Sequence, residues 1–280
     1  MSMTLEYHLS NLLPYIFYGS WPVILLWEIL LPARKTNVSA LSRWSGNIGL
    51  YIINILLSRW SVALLGASLV AYGAAHGLGL AQHATLPAPL LIVVGVLLVD
   101  LSTYGFHVLS HKVHWLWRLH RVHHNDPEVD LSTNFRHHPL ESIVGTLFAA
   151  AVALVAGFPP ETVLVGQLLS LMVEPLSHSN VRLPGWLENP VRLVFVTPDM
   201  HVVHHSADKA ETNSNYGGIF SFWDRIFGTY VAAPARGYGD MQLGLEVFRD
   251  IKYARLPGAL AVPFLEAEEG VAAALPASRM

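Results

Sequence analysis

Cysteine is absent from the 280 residues of the chain. Its absence excludes disulfide bonds, thiolate metal sites and cysteine-held iron–sulfur clusters. Charge is also scarce, because Asp, Glu, Lys and Arg make up 13% of the residues, against about a quarter in a typical soluble domain. The net charge of −3, with no concentrated basic patch, argues against nucleic-acid binding. Together these absences indicate a membrane protein.

Long apolar runs occupy much of the chain. A helix needs about 20 mostly apolar residues to cross a bilayer. The second run is either an interfacial approach followed by a span or one long tilted helix. The last two runs, split by the turn signal "GFPPE", form a hairpin that either crosses the membrane or re-enters it. We expect no cleaved signal peptide, because the first run lacks a basic segment and a small-residue cleavage site. The runs are 12–31, 46–75, 86–109, 140–157 and 161–178.

The distribution of Lys and Arg tests this arrangement. If all five runs cross, residues 32–45, 110–139 and 179–280 share one side of the membrane. Of the 17 Lys and Arg residues, all fall on that side except Arg59, which lies inside the second run. Because loops rich in Lys and Arg remain in the cytoplasm, we assign this side to the cytoplasm.

Histidine is abundant on the same side, and its spacing is helical. The chain has 15 histidines, and the stretches "HVLSH", "HRVHH" and "HVVHH" place several of them three or four residues apart, on one face of a helix. Neutral imidazole binds iron, zinc, copper and nickel. Because one ion takes about four to six ligands, this many clustered histidines predict two ions in a shared cage. The clustered histidines are His107, His111, His120, His123, His124, His201, His204 and His205.

An acidic residue inside an apolar run is costly to bury and usually functional. Asp100 lies in the third run, on one helical stripe with Tyr104, His107 and His111. Metal-binding histidines commonly donate their second N–H to a carboxylate or carbonyl. We therefore predict that Asp100 supports His107 or a group close to it, rather than serving helix packing alone. The weaker candidates for a similar supporting role are Asp126, Asp130, Glu141, Asp199 and Asp224.

Three segments carry a resemblance to a known family: "DLSTYGFHVLSH", "LWRLHRVHHNDPEVDLSTNFRHHPLE" and "TPDMHVVHHSADKAETNSNYGGIFSFWDRIFGTY". They resemble the fatty acid hydroxylase / sterol desaturase superfamily, over residues 95–230 or so. The resemblance implies an integral membrane, non-haem di-iron oxygenase that uses O2 to hydroxylate or desaturate a lipid. It also implies a set of metal ligands, which here are His107, His111, His120, His123, His124, His178, His201, His204 and His205.

Two further positions follow from the resemblance. His138, in "RHHPLE", matches a recurring family histidine that is a ligand, a donor to a ligand or a structural residue, whereas His137 stands at a position that we regard as variable. Glu174 stands where some relatives have another histidine, one turn before His178. It either binds a metal, bonds a metal-bound water, orients a ligand, or is a buried carboxylate with a local partner.

The predicted fold is an all-α integral membrane protein with four to five hydrophobic helices and a cytoplasmic helical cap that holds a histidine-rich dimetal site. We divide the chain into N-terminal membrane helices (1–85), a catalytic region (86–235) and a C-terminal cytoplasmic tail (236–280). The sequence has no haem, flavin or dinucleotide fingerprint. We therefore expect the electrons to come from a separate donor protein or reductase.

Several alternatives stay open at this stage. The lipid is a fatty acyl chain, a sterol, an alkylglycerol ether, an ornithine-type aminolipid or a carotenoid, and the outcome is hydroxylation or desaturation. Zinc can replace iron during purification, because imidazole sites bind it more tightly than ferrous iron. We see no cytochrome-like N-terminal domain and no endoplasmic-reticulum retrieval signal, which favours a bacterial inner membrane over the endoplasmic reticulum. The alternative function is a membrane metal transporter or metal-storage protein, although transporters place their ligands near the bilayer midplane.

Overall fold

The structure is a computed structural model that describes residues 2–57, 68–69, 71–73 and 75–266. In these ranges the regular elements are α-helices and short 3-10 helices, and extended segments pair only at two isolated bridges, Phe195–Phe220 and Ser206–Leu243. The all-α prediction is therefore confirmed. Arg59, and with it the middle of the predicted run 46–75, lies outside the described residues.

The helices are numbered here in chain order. They are α1 (Ser2–Leu30), α2 (Ala40–Leu57), α3 (Ala88–Lys112), α4 (His114–His124), α5 (Pro139–Ala156), α6 (Pro160–His178), α7 (Gly185–Val191), α8 (Pro198–His204), α9 (Lys209–Thr212), α10 (Phe222–Ile226) and α11 (Leu256–Ala261). The 3-10 helices are Leu80–His83, Leu131–Phe135, Ile251–Tyr253 and Val262–Phe264.

Three of the described helices are long and apolar enough to cross a membrane: the Tyr7–Leu30 part of α1, and the whole of α3 and α5. Large apolar side chains on them face outward, among them Leu26, Val93 and Val155. In a soluble protein such a surface would be a liability, whereas in a bilayer it meets lipid chains of the same polarity.

The predicted hairpin is present between α5 and α6. Helix α5 ends at Gly157, whose left-handed φ of 65° needs no Cβ and closes the last turn. Helix α6 begins with Pro160 in its first turn, where the missing N–H costs nothing. The connection is three residues long, so the two helices run in opposite directions.

The ends of several helices meet at one end of the bundle. His107, in the C-terminal part of α3, meets His120 of α4. The first turn of α5 carries Glu141, which also meets His120. The C-terminal turn of α6 carries His178, which meets His123 of α4. Helix α4 therefore lies across the ends of α3, α5 and α6.

Helix α1 packs along α6. Its C-terminal end is tied to the segments that cover the ends of the long helices, residues 113–138 and 179–266, which are called the cap below. The carboxylate of Glu28 accepts hydrogen bonds from the backbone N–H groups of Leu131 and Asn180. These two residues follow α4 and α6 respectively, so one buried carboxylate joins three parts of the chain.

A buried polar network fastens α2 to the segment after α4. Arg43 is almost fully buried and pairs with Asp126, at 2.9 Å, and with Asp130. Asn47, one turn later, donates to Asp126 at 2.9 Å. Arg136 reaches the same network through the side chain of Asn47, at 2.8 Å. Because buried charges must be paired and hydrogen-bonded, this network fixes the position of the loop that follows the first HxxHH motif.

The C-terminal segment completes the packing around α4. Its side chains Phe248, Tyr253 and Val262 join Leu50 of α2 and Val122 of α4 in one apolar cluster. The residues from about 245 to 262 are thus part of the core of the cap, while residues 267–280 lie outside the described residues.

Candidate metal centre

Nine histidines meet in two groups where α3, α4, α6 and α8 converge. In each group, one ring nitrogen of every histidine lies within 4.8 Å of the others. The first group is His107, His111, His120, His124 and His204. The second group is His123, His178, His201 and His205. The structure thus brings together the same nine positions that the sequence and the resemblance single out, and their role as ligands stays a prediction.

Each HxxHH motif contributes to both groups. In α4, His120 and His124 join the first group and His123 joins the second. The motif of α8 divides in the same way, with its central histidine, His204, in the first group and the outer two in the second. Positions i and i+4 differ by about 40° around a helix, whereas i+3 and i+4 differ by about 100°. One helical turn therefore supplies two adjacent sites.

The ring nitrogens are spaced like the ligands of a metal ion. Nε2 of His120 lies 3.1 Å from Nε2 of His107 and 3.2 Å from Nε2 of His124. In the second group, Nε2 of His178 and Nε2 of His201 are 2.9 Å apart. Nitrogens about 2.0–2.1 Å from one ion stand about 3 Å apart. When three ring nitrogens face one another, a proton on one of them can form a hydrogen bond to only one of the other two. A metal ion between them can bind all three nitrogens at once.

Buried nitrogens without partners mark the same place. Among the described residues, both ring nitrogens of His111 and Nε2 of His204 are buried without a hydrogen-bond partner. Burial lowers the pKa of His204 to about 3, and burial also lowers the pKa of His124 and His205 well below the usual range. These rings are neutral at ordinary pH, which is the form that binds a metal. The residues therefore fit one metal ion in each group.

The outer nitrogens of several rings donate to fixed acceptors. Nδ1 of His107 donates to the carbonyl oxygen of Tyr216 at 2.8 Å. Nδ1 of His204 donates to the carbonyl oxygen of Ser214 at 2.7 Å. These bonds leave Nε2 of each ring unprotonated and aimed at the group, as is usual for histidines that bind a metal.

The loop that supplies these carbonyls is itself held rigidly. The carboxylate of Asp224 accepts from the backbone N–H groups of Tyr216, at 2.8 Å, and Gly217, at 2.9 Å. A side chain at Gly217 would press against the carbonyl oxygen of Phe220, so the "NYG" stretch needs a glycine there. Asn215 precedes it with a φ of 49°, a conformation that asparagine tolerates better than most residues.

Asp100 holds the far side of the same loop and does not reach His107. Its Oδ1 accepts from the backbone N–H of Ile219 at 3.2 Å, and its Oδ2 accepts from Phe220 N–H at 3.2 Å and from the Trp223 indole at 2.9 Å. The direct support of His107 considered above is thus replaced by an indirect one. Asp100 fixes the loop, and the loop carries the carbonyl that orients the ring.

Replacing Asp100 by asparagine is expected to loosen this loop. Three donors converge on the two carboxylate oxygens, and an amide would turn its own N–H group toward at least one of them. Hydrogen bonds to a charged acceptor contribute about 1.5–3 kcal/mol each. We expect faster hydrogen exchange over residues 216–223 and a lower melting temperature, with the metal content nearly unchanged. Unaltered exchange in this loop would show that Asp100 does not anchor it.

Glu141 is the side chain that supports the first group directly. Its Oε1 lies 2.6 Å from Nδ1 of His120, which donates to it. His137 approaches the same oxygen at 3.3 Å and stacks on the ring of His123 with centroids 4.5 Å apart. The sequence offered one signal for Glu141, since it is an ionisable residue in the first turn of an apolar helix, but no pattern linked it to His120.

Replacing Glu141 by glutamine should weaken metal binding in the first group. The amide keeps the shape but loses the charge that polarises His120, and partners of this kind are worth about 10- to 100-fold in affinity or activity. Competition with a chelator would measure the change. Glu161→Gln is the matched control, because Glu161 is also a buried glutamate in the first turn of an apolar helix. Equal chelator sensitivity of the two variants would contradict the role of Glu141.

The remaining predicted positions lie outside the two groups. His138 caps α5, and its Nδ1 accepts from the N–H of Leu140 at 3.2 Å. Asp199 pairs with Arg182 at 3.1 Å near the surface. The carbonyl of Glu174 accepts from Nδ1 of His178 at 2.8 Å, while its carboxylate belongs to neither group. The histidines that likewise belong to neither group are His8, His76, His83 and His114.

A cavity of about 250 Å³ opens beside the two groups. Its wall includes His107 and His120 from the first group and His123 and His178 from the second. Phe106 and the loop at Tyr216–Gly218 close its other sides. A reactant in this cavity would stand next to any ion held by either group.

The chain is similar to known proteins of one family. Residues 92–229 match the family model described as fatty acid hydroxylase. The chain is 30% identical to the human alkylglycerol monooxygenase over 55% of its own length and 34% of that protein. It is 26% identical to the ornithine lipid hydroxylase of Rhizobium tropici over 78% of its length and 67% of that protein.

A third relative is the cholesterol 25-hydroxylase of Rattus norvegicus, which is 30% identical over 51% of the chain and 47% of that protein. The chain spans about a third of the length of the human relative. No solved structure gives a significant match. The matched segment contains all nine histidines of the two groups.

Proposed function

We propose that the chain, which carries a fatty acid hydroxylase domain at residues 92–229, is a membrane-bound di-iron oxygenase acting on a lipid. The proposed reaction consumes O2, one C–H bond, two electrons and two protons, and it yields an alcohol and water. Breaking a second C–H bond in place of oxygen insertion would give an alkene and a second molecule of water. The observation that carries the proposal is the pair of imidazole groups lining one cavity.

The two iron ions, when bound, would supply the reduction of O2 and the oxidising power for an unactivated C–H bond. The protein's own part is binding and orientation. The first group would hold one ion with five imidazoles and the second would hold the other with four. Glu141, Tyr216 and Ser214 would keep the rings aligned through their outer nitrogens.

The proposal also names the substrate, the electron donor and the membrane. The substrate is a membrane lipid, and the electrons come from a separate donor protein or reductase. The histidine groups face the cytoplasm, as the distribution of Lys and Arg indicates, and a bacterial inner membrane is favoured over the endoplasmic reticulum. The position of the groups at the ends of the helices, rather than midway along them, weighs against the transporter alternative.

Two measurements test the proposal. Metal analysis of protein produced with added iron should give close to two ions per chain, and bound zinc in place of iron would still count toward the same number. Lipid profiles of cells with and without the intact gene should differ by a mass gain of one oxygen or a loss of two hydrogens. Two ions without any oxidised lipid would leave a metal-binding protein and refute the oxygenase.

A further inference from the structure

The wall of the cavity is unusual for a lipid tunnel. Pockets for apolar ligands are lined mainly by aliphatic and aromatic side chains. Here Phe106 is the only large hydrocarbon side chain among the described residues that line the cavity. Most of the exposed wall is nevertheless carbon, because the polar side chains present their carbon atoms as well as their polar ends. Polar atoms reach the cavity at only a few positions. Besides the histidines of the two groups, the polar side chains in the wall include Ser110, Asn134, Glu141, Ser142, Glu174 and Ser177.

Glu174 places a carboxylate in this wall. It lies on α6, one turn before His178, and Ser170 donates a hydrogen bond to it. A carboxylate has room for about four hydrogen bonds, so most of its accepting capacity is unused by Ser170. Its Oε1 stands 3.9 Å from the position that a Cβ on Gly218 would occupy, so the carboxylate lies next to the loop that lines the cavity.

Glu141 adds a second acceptor to the same cavity. Its Oε1 is taken by His120, but its Oε2 is buried and has no hydrogen-bond partner among the described residues. A buried acceptor left without a donor costs about 1–3 kcal/mol. Glu141 thus places a second carboxylate with unused accepting capacity beside the cavity.

We infer that the substrate is a lipid with a hydroxyl or amine donor close to the carbon that reacts, and that Glu174 selects it. The inference rests on the proposed function and narrows it, because it assigns the polar end of the lipid, rather than the middle of a plain alkyl chain, to the space beside the metal groups. Glu174 acts on the substrate in this account and not as a metal ligand.

Binding of three amphiphiles with the same chain tests this without turnover. The probes are hexadecylamine, hexadecanol and hexadecyl methyl ether, of which the last has no donor. The full-length protein is loaded with zinc, because zinc has no redox chemistry, and is titrated with each probe in detergent. Native mass spectrometry measures how much of each probe is bound. We expect the amine or the alcohol to bind about 10-fold or more tightly than the ether, as one hydrogen bond to a carboxylate implies.

Variants of Glu174 assign the effect. Glu174→Met keeps the length of the side chain and should lower the affinity of the favoured probe to that of the ether. Glu174→Gln should reduce its advantage in part, because an amide oxygen accepts a weaker hydrogen bond than a carboxylate. A preference for the amine identifies an ammonium group, and a preference for the alcohol identifies a hydroxyl group. Glu161→Gln, about 20 Å away along the same helix, should leave all three affinities unchanged.

The contrary outcomes are equally definite. Equal binding of the three probes to the unaltered protein overturns the inference, and so does a preference that survives in Glu174→Met. If Glu174→Met does not fold, Glu174→Gln decides, since an undiminished preference there also overturns it. Loss of a metal ion from either variant would make Glu174 a ligand and refute its role in selection. None of these results depends on oxygenase activity, so the failure of the proposed function would be seen separately.

Discussion

His124→Ala and His205→Ala are expected to abolish turnover, and each should remove a different metal ion. His124 belongs to the first group and His205 to the second, and both side chains are fully buried. Alanine leaves a gap that no neighbouring side chain can fill with a nitrogen, because every ring nearby already faces its own group. Metal content should therefore fall from about two ions to about one in either variant, and to none in the double variant.

The controls come from the histidines outside the groups. His83 and His114 are exposed, so His83→Ala and His114→Ala should keep both ions and full turnover. Metal analysis and product formation are measured on the same preparations. If His124→Ala kept both ions, the first group would not be a metal site. If His83→Ala were as damaging as His124→Ala, the division between the site and the other histidines would be wrong.

Arg43→Met should cause the largest loss of stability. The Arg43 guanidinium is buried between Asp126, at 2.9 Å, and Asp130, and methionine would leave two carboxylates without their cation. Removing one partner of a buried ion pair costs about 3–5 kcal/mol. In a domain of this size, that corresponds to a fall of about 10 °C in melting temperature.

Thermal unfolding in detergent, followed by circular dichroism, would measure the change. The matched control is Lys209→Ala, because the pair of Lys209 and Glu246 is exposed and 3.5 Å apart. Exposed pairs contribute about 0–1 kcal/mol, so the control should unfold close to the unaltered protein. A melting temperature of Arg43→Met equal to that of the control would show that the network does not hold the cap.

Much of the site could be predicted from the sequence because its ligands occur in local patterns. The pairs His107–His111, His120–His124 and His201–His205 are each four residues apart, and each pair lies in one group. Helical periodicity alone brings such pairs together. The turn signal between α5 and α6 worked for the same reason, since Gly157 and Pro160 act on the backbone within a few residues.

The partners of the ligands could not be predicted in this way. His107 and Tyr216 are 109 residues apart, and the acceptor is a backbone carbonyl, which every residue possesses. Asp100 was predicted to support His107 or a group close to it, because both residues lie on one helical stripe. The groups that use its carboxylate are Ile219, Phe220 and Trp223. A stripe predicts which face a residue occupies, but not which loop covers that face.

The sequence by itself determined the membrane class, the helical hairpin and the histidines that would cluster, because composition and helical spacing are local properties. Only the tertiary structure decided how the nine histidines divide between two groups, that Glu141 serves His120, and that Glu174 faces the cavity instead of a metal group. Those outcomes depend on the angles at which α3, α4, α6 and α8 meet. These angles are set by packing between residues far apart in the chain, which no local pattern records.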